Sequence, residues 1–112
     1  MKKKIIVVGG GRWGTNHIKT LISLDSFYAV VEPNKENQNK LKKQFPNIKI
    51  YNNLEDSYFS NPDGYTVVTP PETHFDISVD IINNRKPLLV EKPLTLDYDS
   101  SKKIVDLANK NN

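Results

Sequence analysis

Cysteine is absent from the sequence. This excludes a disulfide framework, a thiolate metal site and a cysteine nucleophile, and it suits a reducing compartment, so a cytoplasmic location is expected. Long apolar runs are absent as well. The run Ile5–Val8 is far short of the roughly 20 residues a membrane helix needs, and no membrane association is expected. The opening Met1-Lys2-Lys3-Lys4 does not begin a secretory signal, because the apolar stretch behind it runs straight into three glycines. Arginine is scarce, with Arg12 and Arg85 alone, and the lysines are scattered in small groups among 13 acids for a net charge of +3. That pattern predicts no nucleic-acid partner. The 112 residues, 37% hydrophobic, suffice for one core but not for two.

What is present is an alternation of short apolar runs and longer amphipathic stretches. Ile5–Val8 is a continuous β-branched run, as in a strand covered on both faces. A helix over 13–24 follows, with Ile18, Leu21 and Ile22 at helical spacing, and Asp25 and Ser26 break it. A second strand over 28–32 is stopped by Pro33, and Asn34 caps a Lys-rich, mostly solvated helix carrying Leu41 and Phe45. A third strand over 48–51, a helical turn over 54–59 and a turn at Asn61-Pro62-Asp63-Gly64 lead into a fourth strand over 65–68. Thr73 is expected to cap a helix that buries Phe75, Ile77, Val79, Ile81 and Ile82, and Asn83 with Asn84 to end it in the left-handed conformation. Leu88–Val90 forms a fifth strand, and a helix over 97–109 buries Ile104, Leu107 and Ala108. Strands joined by crossovers specify an α/β domain: a doubly wound, mostly parallel five-stranded sheet with helices on both faces. Ligands of such sheets bind beyond the carboxyl ends of the strands, where strand order reverses.

Gly9, Gly11 and Gly14 form G-x-G-x-x-G, with Gly10, Arg12 and Trp13 at the variable positions. The motif directly follows an apolar strand, opens a helix, and precedes by about 20 residues an acid at the end of the next strand, Glu32. This is a dinucleotide-binding pattern. The glycines permit the turn, the approach of a pyrophosphate and close helix–strand packing, and the pyrophosphate lies at a helix N-terminus. Glu32 would accept hydrogen bonds from the adenosine ribose and repel a 2′-phosphate, so NAD is favoured over NADP, although Lys35 lies near enough to weaken that preference.

Gly11-Arg12-Trp13-Gly14 with Asn16 and His17, then Thr69-Pro70-Pro71-Glu72-Thr73-His74, then Glu91-Lys92-Pro93 resemble, in order and spacing, three signatures of the Gfo/Idh/MocA oxidoreductases, which include glucose–fructose oxidoreductase and inositol dehydrogenase. The resemblance implies a Rossmann domain for residues 1–112, with hydride transfer between NAD and a secondary alcohol of a sugar, cyclitol or nucleotide-sugar. It implies that the loop of Thr69 and Pro70, with His74 near the start of the next helix, lines the nicotinamide half of the cofactor, while Gly9, Gly11, Arg12, Trp13, Gly14 and Glu32 serve the rest of it. For His74 a partly exposed packing or capping role is the alternative. Lys92 is the expected catalytic residue, touching substrate and cofactor, with Glu91 orienting its loop. An ammonium there would hydrogen-bond an oxygen whose charge changes during hydride transfer. The Lys92–Pro93 bond is also a candidate for the cis form.

The family carries a second, substrate-binding domain with an Asp-x-x-x-His pair, and no Asp of this sequence has His four residues later. The expectation is therefore a cofactor domain that binds NAD without efficient turnover, its small-molecule substrate held elsewhere. An open sheet edge beyond the fifth strand would invite a homo-oligomer. A stand-alone nucleotide-sensing module is the alternative; it would have no use for Lys92.

Overall fold

The structure is a computed structural model, and it describes residues 2–91 and 98–111. Five parallel strands make one sheet: β1 (Ile5–Val8), β2 (Phe27–Val31), β3 (Ile50–Tyr51), β4 (Gly64–Val67) and β5 (Leu88–Val90), in spatial order β3-β2-β1-β4-β5. The chain winds outward from β1 to β3, returns across the sheet, and winds the other way from β4 to β5. Strand order therefore reverses between β1 and β4. The first and fifth strands fall where the sequence predicts them. The third is shorter, because the Ile48 N–H turns back to the Phe45 carbonyl at 3.0 Å and is spent before the ladder begins.

Alternate side chains of the strands enter two cores. Val7 and Val30 meet Ile18 of α1 (Arg12–Ser23) and Leu41 of α2 (Lys35–Gln44) on one face. Ile6, Val8, Ala29, Val31, Tyr65 and Val67 meet Leu54 of α3 (Leu54–Ser57), Tyr58 in the 3-10 turn that follows it, and Ile81 of α4 (His74–Asn83) on the other. Two expected core faces are rotated. Ile22 is 48% exposed, since α1 presents Gly14, Ile18 and Leu21 to the sheet and residue 22 lies about 100° round from 21. On α4 the innermost residues are His74, Ser78, Ile81 and Ile82, while Phe75, Ile77 and Val79 are half-buried. The last helix, α5 (Tyr98–Asn111), packs on α4, burying Ile104, with Leu107 and Ala108 half-buried. Among the described residues no helix is long and apolar enough to cross a membrane.

The helix ends follow local chemistry. Asn34 caps α2 by accepting the Asn37 N–H at 3.0 Å, and Asn53 caps α3 by accepting the Asp56 N–H at 2.8 Å. Both α1 and α4 close with paired bonds around a left-handed residue. Ser26 N–H donates to Leu21 O and Asp25 N–H to Ile22 O about Asp25 (φ 54°), and Lys86 N–H to Ile81 O and Arg85 N–H to Ile82 O about Arg85 (φ 58°). The left-handed residue is thus Arg85. Asn84, expected there, keeps φ −89° and donates its side-chain amide to the Asp80 carbonyl. Thr73 does not cap α4 as expected: Pro70 and Pro71 start a 3-10 turn, and the Thr73 hydroxyl is drawn back to the Pro70 carbonyl at 2.6 Å.

Candidate functional site

The carboxyl ends of β1, β2, β4 and β5 open into a cavity of about 990 Å³ at the point where strand order reverses. Gly9, Gly11, Arg12, Trp13, Glu32, Thr69, Pro70, His74 and Glu91 all line it. Gly14 sits behind it. A Cβ on Gly14 would lie 1.8 Å from the Gly9 carbonyl oxygen, so this glycine is required by the packing of α1 on the first turn. Gly9 needs its φ of +107° to make that turn. Gly11 differs: its φ is −76°, open to any residue, and an added Cβ would meet nothing within 4 Å. Nothing in the described protein demands glycine at Gly11. The free space there adjoins the N-terminus of α1, which no side chain caps and whose first N–H groups lack intrahelical partners, an arrangement that attracts an anion.

Glu32 follows β2 directly and is 6% exposed. Its Oε1 accepts the Gly10 N–H at 2.8 Å and the Asn37 amide at 3.3 Å, and its Oε2 accepts the Asn34 N–H at 2.9 Å. Three of the carboxylate's roughly four lone-pair positions are taken, leaving one, on Oε2. Gln38, only 3% exposed, braces the same segment, its amide donating to the Glu32 carbonyl at 2.6 Å and to Asn52 Oδ1 at 2.8 Å. The sequence reading missed Gly10, Asn37, Gln38 and Asn52. The one signal for Gln38 was its position a turn before Leu41, on the same side of α2.

On the far side of the switch point, His74 is 1% exposed, in contrast to the partly exposed alternative drawn from the sequence. The first turn of α4 lies beneath the loop after β4, and the ring fills that space. Its Nε2 donates to the Thr69 carbonyl at 2.7 Å, a direction fixed by the carbonyl being an acceptor only. The Thr73 hydroxyl, bonded to Thr69 Oγ1 at 2.6 Å, ties the same loop again. Glu91, just past β5, meets His17 of α1, with Nε2 and Oε1 2.6 Å apart. Lys92 and its bond to Pro93 lie outside the described residues. Trp13 stands at the cavity wall with 67% of its surface exposed.

A parallel sheet with this strand order, a glycine turn opening onto an uncapped helix and an acid after the second strand define a dinucleotide-binding Rossmann domain. Residues 3–112 match the family described as "Oxidoreductase family, NAD-binding Rossmann fold", and the chain belongs to this Gfo/Idh/MocA family. It is 29% identical over 111 residues to the inositol 2-dehydrogenase of Corynebacterium glutamicum (strain R), covering 96% of this chain and 33% of that protein. It is 33% identical over 103 residues to the scyllo-inositol 2-dehydrogenase (NAD(+)) of Bacillus subtilis (strain 168), covering 86% and 29%. The crystal structure of GenD2 from gentamicin A biosynthesis in complex with NAD superimposes with a TM-score of 0.87 at 25% identity, covering 97% of this chain and 32% of that one. The chain thus spans about a third of the length of these relatives.

Proposed function

We propose that this chain holds NAD(H) along the carboxyl ends of its strands and serves as the cofactor domain of an oxidoreductase acting on a secondary alcohol of a sugar, cyclitol or nucleotide-sugar. The observation that carries the reading is the free space over Gly11, where the protein itself has no need of a glycine. The diphosphate would lie there, on the first N–H groups of α1. The remaining lone pair of Glu32 Oε2 would accept from one ribose hydroxyl, and the buried carboxylate disfavours a 2′-phosphate, so NAD is preferred over NADP. Thr69, Pro70 and His74 would form the wall of the nicotinamide end, with the buried ring of His74 holding the loop rather than taking part in proton transfer. NAD held there would supply hydride chemistry toward a substrate carbon. Lys92 is the residue proposed to hydrogen-bond the substrate oxygen as its charge changes. The alcohol substrate is supported by the inositol dehydrogenases among the relatives.

Trp13, the single tryptophan, lines the cavity and provides the test. Titration of the chain with NADH should quench Trp13 emission and sensitise the dihydronicotinamide, more strongly than NADPH at equal concentration. Absence of binding at millimolar NADH would overturn the assignment.

A further inference from the structure

The His17–Glu91 contact joins two parts of the site that are 74 residues apart in sequence. His17 lies about one and a half turns into α1, the helix whose N-terminus faces the proposed diphosphate. Glu91 is the residue immediately before Lys92. Its backbone is already fixed, because its N–H extends the sheet ladder to the Val67 carbonyl at 3.0 Å. Its side chain meets the imidazole of His17 on α1, and both groups are only partly exposed, at 43% and 26%. A carboxylate accepts only, so Nε2 carries the proton. With its backbone held by the ladder and its side chain held by α1, Glu91 is restrained from two sides.

We infer that His17 is a positioning residue, holding Glu91 in place at the wall of the nicotinamide end of the cavity. The inference rests on the reading of the cavity as an NAD site, and it adds a coupling between the diphosphate helix and the nicotinamide end. Removing the imidazole frees Glu91 while leaving the glycine turn and Glu32 untouched. The cost therefore falls on the nicotinamide half of the ligand alone.

ADP-ribose, which lacks the nicotinamide, separates this role from a general structural one. His17→Ala and Glu91→Ala are expected to weaken NADH binding about five- to tenfold, the worth of one lost hydrogen bond, and to leave ADP-ribose binding unchanged. In His17→Gln the side-chain amide can still donate to Glu91, and NADH affinity should return. In the ligand-free chain the Lys92 amide resonance should shift in His17→Ala and return in His17→Gln. Equal losses for both ligands, or no loss for either, would overturn the inference, as would a Lys92 resonance indifferent to His17. If the unmodified chain binds neither ligand, the cofactor reading itself fails, and the Lys92 resonance still decides whether the tether exists.

Discussion

Arg85 is a residue in a conformation that its side chain disfavours. At φ 58° the Cβ crowds the following carbonyl, at a cost of about 1 kcal/mol, and the side chain is exposed, outside both cores. Arg85→Gly should therefore raise the melting temperature by about 4 °C, measured by thermal denaturation, and an unchanged or lowered value would mean that the side chain contributes more than its backbone costs. The glycines of the first turn give a sharper contrast, because two of them answer to different demands. Gly14→Ala places a methyl group on the Gly9 carbonyl and should unfold or strongly destabilise the chain. Gly11→Ala meets nothing in the protein and should keep its melting temperature within about 2 °C while losing NADH binding, since the methyl would occupy the space of the diphosphate. Circular dichroism melts and NADH titrations of the two variants check this, and Gly11→Ala with full NADH affinity would place the diphosphate elsewhere.

At the scale of the element, the segment from the end of β2 into α2 shows where sequence reading succeeds and where it stops. The apolar runs of β1 and β5 and the Asn34 cap were legible because each is decided locally, by a short apolar run or by one side chain reaching the N–H three residues on. The glycine turn, Glu32 and the loop residues Thr69, Pro70, His74 and Glu91 were legible as motifs, and they converge on one cavity. Gln38 was not, because a polar residue leaves no mark in an apolar periodicity, and its burial is set by Asn52, which arrives from β3. The His17–Glu91 pair was hidden for the same reason: the order of β1, β4 and β5 creates it. Gln38 carries a prediction in its turn. Gln38→Leu keeps the volume but leaves the Glu32 carbonyl and Asn52 without their donor, which should cost about 1–3 kcal/mol in urea denaturation and weaken NADH binding by loosening Glu32. A variant with the same urea midpoint as the parent would show that water replaces the amide without loss.

For the molecule as a whole, the tyrosines of the second core set an upper limit of pH on stability. Tyr58 and Tyr65 meet edge to face with ring centroids 5.6 Å apart, and burial pushes both phenols above their ordinary value, with the Asp80 carboxylate adding to the effect at Tyr58. In the unfolded chain both would lose their protons near pH 10, while in the folded chain they keep them. The folded state then binds more protons than the unfolded one, so stability is complete below about pH 10 and is lost as pH rises beyond it. Tyr28 acts in the opposite direction: its hydrogen bond from Lys49, at 3.1 Å, lowers its value, so its contribution grows as the phenol ionises. Tyr28 is partly exposed and open to solvent screening, and the two tyrosines of the core prevail. Melting temperatures measured from pH 8 to pH 11 should fall through the upper part of that range. The fall should be shallower in Tyr58→Phe, which removes a phenol whose buried oxygen has no partner among the described residues, and steeper in Tyr28→Phe. Identical slopes in the parent and in Tyr58→Phe would mean that the alkaline limit is set by lysine deprotonation across the surface and not by this core.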